Sequence, residues 1–163
     1  MGVMLSGAGL SSAPAVAKHS GSTQGPAAVA VAVAHALASG DAPVVCENLG
    51  PGFKRFLSDF LLRAVPSRFV PTVPSGAPPQ QRCVAGLTGD LADPSGDGRD
   101  WRAFRTTRSR FVVYAHHRHR ATVCLEHPSR AVAPAIRIHG RWLLTDLPSD
   151  GFSQRQARTC RLG

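Results

Sequence analysis

The densest run of chemistry-bearing side chains is His116-His117-Arg118-His119-Arg120. Imidazoles two apart on a strand share a face, so His117 and His119 have the spacing of two metal ligands. Arg118 and Arg120 repel a cation, and no carboxylate lies close in sequence to complete a ligand set. The expectation is a solvated loop between two strands, with no metal site. Upstream, Arg102, Arg105, Arg108 and Arg110 join Arg118 and Arg120 in a series interleaved with Trp101, Phe104, Phe111 and Tyr114. Arginine for phosphate and aromatic rings for base stacking is the composition of a single-strand nucleic-acid binder. The series matches no named nucleic-acid motif. The plainer reading places the rings in the core and the guanidinium groups in water.

Catalytic chemistry finds less support. The strand-forming region offers two acids, Glu126 and Asp146, and neither has a partner at a recognisable spacing. Acid–base catalysis needs a positioned group with a tuned pKa. The sequence contains no phosphate-binding P-loop, no G-x-S-x-G and no H-E-x-x-H. It therefore assigns no catalytic residue and no cofactor. Cys46, Cys83, Cys124 and Cys160 never form a C-x-x-C pair, which argues against a closed zinc site.

The charge is uneven. The formal net charge is +9 over 163 residues. Six basic and six acidic side chains balance in residues 1–98. Thirteen arginines face four acids in residues 99–163, so all the net charge sits there. Such a field favours an anionic partner: nucleic acid, anionic lipid or an acidic protein. Hydrophobic residues make up 43%, enough for one core in a chain of this length.

The elements follow from pattern and punctuation. Residues 1–25 read as a disordered leader or the remnant of a signal segment. Ala15-Val16-Ala17 fits the small-x-small cleavage pattern, but no basic residue precedes the weak apolar stretch. Leu5-Ser6-Gly7 would open a lipobox, yet Ala8 stands where the lipidated cysteine must be. No apolar run is long enough for a transmembrane segment. Gly25-Pro26 opens a helix that runs to about Ala38 and stops at Ser39-Gly40. Asp41 caps a short helix over Ala42–Leu49. Phe53, Phe56, Leu57, Phe60, Leu61 and Ala64 form one apolar face of a third helix, with the three phenylalanines expected in the core. Gln80–Leu91 predicts a fourth helix, weakened by Gly86 and Gly89. Val65–Pro79 is loop, and Ala92–Arg99 a turn-rich linker. Strands are expected at Phe111–Ala115, Ala121–Glu126, Ala135–Ile138 and Arg141–Leu147, the last two joined by a tight turn at His139-Gly140. Residues 149–163 read as a basic flexible tail. Helices followed by strands make an α+β fold, placed at residues 26–148 as one domain.

Two stretches resemble known proteins. His35-Ala36-Leu37-Ala38-Ser39-Gly40-Asp41-Ala42, followed by Cys46 and Leu49, looks like the "A-L-x-x-G-D" and "C-x-x-L" helices of small actinobacterial envelope proteins. Gly140-Arg141-Trp142-Leu143-Leu144-Thr145-Asp146-Leu147 resembles the closing strand of nuclear-transport-factor-like, SnoaL-type cones. The resemblance implies a curved, cone-like antiparallel sheet of about four strands. It also implies an extracytoplasmic or envelope location and a disulfide between Cys46 and Cys83. From the residues alone, two buried free thiols are an equal alternative. The functional expectation is a non-catalytic binding or scaffolding domain with an anionic or envelope partner. One alternative is a cytoplasmic nucleic-acid binder acting through residues 101–120. Another is a cone-fold enzyme of isomerase or cyclase type.

Overall fold

The computed structural model describes residues 25–94, 110–127, 131–148 and Cys160. The leader, most of the Ala92–Arg99 linker, Arg102, Arg105, Arg108 and nearly all of the basic tail lie outside the described residues. Within them, helices precede strands, and the fold is α+β. The helices are α1 (Pro26–Ser39), α2 (Ala42–Glu47), α3 (Pro51–Ala64) and α4 (Pro79–Ala92). The strands β1 (Arg110–His117), β2 (Arg120–His127), β3 (Ala131–Ile138) and β4 (Arg141–Leu144) pair antiparallel in sequence order.

Pro26 starts α1 at a position where its missing N–H is no loss. Gly40 ends it in the left-handed region at φ 77°, and Asp41 N–H reaches back to the Ala36 carbonyl at 2.8 Å. Between these ends, Val29, Ala30, Val33, Ala34 and Leu37 are buried. Their small size lets α1 lie close to the sheet, and it touches all four strands and α2.

Asp41 caps α2 by accepting from Val44 N–H at 3.2 Å. The helix stops at Glu47, two residues short of the expected Leu49. The reason is a competing set of backbone bonds. Leu144 N–H donates to the Asn48 carbonyl at 2.8 Å, and Gly50 N–H donates to the Leu144 carbonyl at 2.7 Å. Leu49 thus runs parallel to Leu144 as an extra strand residue, and both side chains are buried.

The buried stripe of α3 is Leu57, Ser58 and Leu61. Phe56 and Phe60, expected in the core, are 63% and 55% exposed, and only Phe53 packs partly against it. Close contact with α4 sets this rotation. A Cβ on Gly86 would lie 2.9 Å from Leu61 Cβ. A Cβ on Gly89 would meet Val70 Cα at 3.1 Å and the Phe69 carbonyl carbon at 3.2 Å. The two glycines are therefore the contact surface of α4 and not flaws in it.

The sheet differs from expectation in its third and fourth strands. β3 begins at Ala131, upstream of the expected Ala135, and carries Pro134 inside it. The N and O of a strand residue point to the same side. The Pro134 carbonyl accepts from Thr145 N–H at 2.9 Å, so the missing N–H faces β4, which ends at Leu144. Proline thus sits where no ladder donor is needed. β4 is correspondingly shorter than the expected Arg141–Leu147. The β3–β4 turn holds both His139 (φ 47°) and Gly140 (φ 81°) in the left-handed region, the arrangement that matches strand twist.

The pairing Val123↔Ala133 puts those residues on one face with Leu125, Ala131, Ala135 and Leu144, all part of the core under α1. Cys124, paired with Val132, faces the other way and is bridged to Cys160, with Cα atoms 5.7 Å apart. Cys46 of α2 is bridged to Cys83 of α4, with Cα atoms 6.1 Å apart and both residues fully buried.

Two stability effects follow. Gly89→Ala replaces a poor helix former, yet is expected to destabilise by about 1–3 kcal/mol because the neighbouring atoms are backbone. A denaturant midpoint equal to or above wild type would show that α4 packs less closely on the Phe69–Val70 segment. The Cys46–Cys83 bridge spans 37 residues, so Cys46→Ala with Cys83→Ala is expected to cost about 4 kcal/mol by loop entropy. Urea unfolding of the double variant and of wild type, with and without reductant, measures it.

Candidate anion-binding site

In an up-and-down sheet the first and third turns lie at the same end. The β1–β2 turn is Arg118-His119, because β1 continues to His117 and β2 starts at Arg120. The β3–β4 turn is His139-Gly140. Register brings the two turns together. Arg120 pairs with Ile136, and Arg137 N–H donates to the His119 carbonyl at 2.8 Å, extending the ladder into the turn. Ile138 pairs with Arg141.

One end of the sheet therefore gathers Arg118, Arg120, Arg137 and Arg141 with His117, His119 and His139, all exposed. Segments 117–120 and 136–141 contain no acid. Arg137 Nε donates to the Gly140 carbonyl at 3.2 Å and steadies the second turn. Guanidinium groups present fixed donor forks that match phosphate, sulfate or carboxylate oxygens in pairs. By register Arg120 and Arg141 lie on the sheet face away from the core and Arg137 on the core side, so Arg120 and Arg141, with Arg118 in the adjoining turn, are the groups that can meet one anion with several acceptor oxygens.

The site borders α3. Lys54 Nζ donates to Gln80 Oε1 at 2.7 Å. Burial lowers the Lys54 pKa below the usual lysine range; Glu47 opposes that shift and Arg141 adds to it. The field of Arg141 thus reaches the first turns of α3, and Glu47 is the nearby acid.

The expected arginine series divides. Arg118 and Arg120 are in the site. Arg110 begins β1 opposite His127, at the far end of a strand of eight residues, roughly 25 Å away. Arg102, Arg105 and Arg108 lie outside the described residues. His117 ends a strand while His119 sits in the turn, so the two imidazoles do not share a strand face as metal-ligand spacing requires. Among the described residues, no group of three or more His, Cys, Asp or Glu side chains gathers. His139 and Arg141 were missed as site residues. The signal was the meander itself, whose alternate turns share an end.

Of the two candidate acids, the Glu126 side chain lies outside the described residues. Asp146 follows β4 and is half-buried. Burial pushes its carboxyl above the usual range, while the Leu147 N–H, donating at 2.9 Å, pulls the other way. Searches of protein families, curated proteins and solved structures give no match to this chain.

The Asp146 shift has a sign that melting curves can read. The folded chain holds this proton more tightly than the unfolded chain, so the contribution to stability falls as pH rises through the raised value. Asp146→Asn keeps an acceptor for Leu147 and removes the buried charge. Its melting temperature is expected above wild type at pH 7, with the gain disappearing toward pH of about 3, below the ordinary carboxyl range. A variant that melts lower at pH 7 would show that the carboxylate is stabilised in place.

Proposed function

We propose that this chain is a non-catalytic binding domain of an extracytoplasmic compartment, working at a bacterial envelope, that takes an anionic partner on the basic end of its sheet. The observation that carries the reading is that Arg120 and Arg141 lie on one face at that end, beside Arg118 in the adjoining turn, from two hairpins with no acid in either tip. The Cys46–Cys83 and Cys124–Cys160 bridges support the compartment, because disulfides persist where the surroundings oxidise. Helices followed by an antiparallel sheet support kinship with the cone-type envelope proteins. The half-buried Asp146 carboxyl accepts from the Leu147 N–H, which supports a structural role for that acid.

A single-stranded oligonucleotide serves as a polyanion probe for the oxidised protein. The triple variant Arg118→Gln, Arg120→Gln, Arg141→Gln is expected to bind about tenfold or more weakly at low salt. Its log-affinity against log-salt plot should flatten by about 2, or about 0.7 per lost contact. Arg68→Gln, which removes one charge from the loop after α3, should leave the slope near wild type. An unchanged slope in the triple variant would reject the sheet end as the binding surface. Equal competition by inorganic polyphosphate is expected if charge alone is read; a strong preference for the oligonucleotide would replace this reading with nucleic-acid recognition.

A further inference from the structure

α3 carries a second exposed feature. Phe56 and Phe60 stack at 6.1 Å between ring centroids, with planes 13° apart, and Phe53 lies 6.1 Å from Phe56. Helical spacing continues this row to Arg63, which is exposed, as is Arg55 beside it. The helix has one acid, Asp59, and Arg82 of α4 pairs with it at 2.6 Å. The opposite side of α3, Leu57, Ser58 and Leu61, is spent on the core. What remains toward solvent is a pair of stacked rings between cations.

The size of the feature argues against a second copy of the chain as its occupant. A phenylalanine offers about 150–250 Å² in full; with Phe56 63% and Phe60 55% exposed, the two rings supply about 180–300 Å². A stable protein interface needs about 800 Å² from each partner. A symmetric pair would also bring Arg55 and Arg63 against their own copies. An anionic bilayer surface suits both parts at once: rings enter the boundary between headgroups and acyl chains while guanidinium groups meet lipid phosphates. The start of α3 is tied to β4, the strand of Arg141, through the Gly50 N–H on the Leu144 carbonyl.

We propose that α3 is a peripheral membrane-docking face that seats Phe56 and Phe60 in the headgroup layer of an anionic bilayer, with Arg55 and Arg63 on its phosphates. No helix among the described residues is long and apolar enough to cross a membrane, so the contact is with the surface. The proposal names a lipid surface as one anionic partner and rests on the preceding reading only for the added charge of the sheet end.

The test uses the full oxidised chain with vesicles of phosphatidylcholine alone and of phosphatidylcholine mixed with phosphatidylglycerol. Wild type is expected to co-sediment with the mixed vesicles and not with the neutral ones. Phe56→Ser with Phe60→Ser should lose about tenfold or more of that partitioning. It should keep its melting temperature and its oligonucleotide affinity, since both rings are exposed. Arg55→Gln with Arg63→Gln should weaken the dependence on phosphatidylglycerol. Equal partitioning of the serine variant and wild type overturns the proposal, because charge alone would then bind the vesicle. Wild-type dimerisation that the serine variant abolishes, seen by analytical ultracentrifugation, overturns it in favour of a second copy. An unchanged oligonucleotide slope in the arginine triple variant, with vesicle binding intact, defeats the sheet-end reading and leaves the docking face standing.

Discussion

Two backbone hydrogen bonds, one on each side of Leu49, join the helical half of the chain to its sheet through Leu144. Much else depends on this junction. Three residues before it, Cys46 ties α2 to α4. Two residues after it, Pro51 starts α3, so the position of α3 follows from where Gly50 is held. Leu49 and Leu144 are among the largest fully buried side chains, so the same junction is both hydrogen-bonded and packed. A buried backbone donor or acceptor must find a partner. Extending α2 to Leu49 would forfeit the pairing that β4 offers along its open edge.

The same economy shapes the two surfaces. The basic end exists because a four-strand meander turns back on itself twice at one end, and each of those turns carries histidine with arginine in it or on the strand ends beside it. The rings of α3 are exposed because α3 spends its other side on α4, where glycine permits an approach that a methyl group would block. Arg141 and Lys54 sit where these two arrangements meet, since β4 and the start of α3 are held together by the Leu49 junction.

Much of this was legible beforehand. Asp41 as a cap, Gly40 as a helix end and His139-Gly140 as a tight turn rest on local backbone chemistry that needs no distant partner. The helices-first order was legible for the same reason. The failures were of another kind. Phe56 and Phe60 fit a helical apolar stripe as well as Leu57 and Leu61 do, and periodicity cannot rank overlapping stripes. Gly86 and Gly89 look like helix breakers until Leu61 and Val70 are beside them. Pro134 looks like a strand stop until the neighbouring strand is seen to end there.

The amino-acid sequence by itself determined the element types, the caps and turns, the imbalance of charge toward the carboxyl-terminal half and the absence of recognisable catalytic motifs. These depend on near neighbours and on totals, which a linear chain contains in full. Tertiary structure decided which face of α3 is buried, where α2 stops, how far β3 extends and which arginines share a surface. It set Arg110 apart from Arg118 and Arg120 and brought Arg141 to them. Each of these outcomes depends on a residue far away in sequence, reached only when antiparallel register and close helix packing are satisfied together.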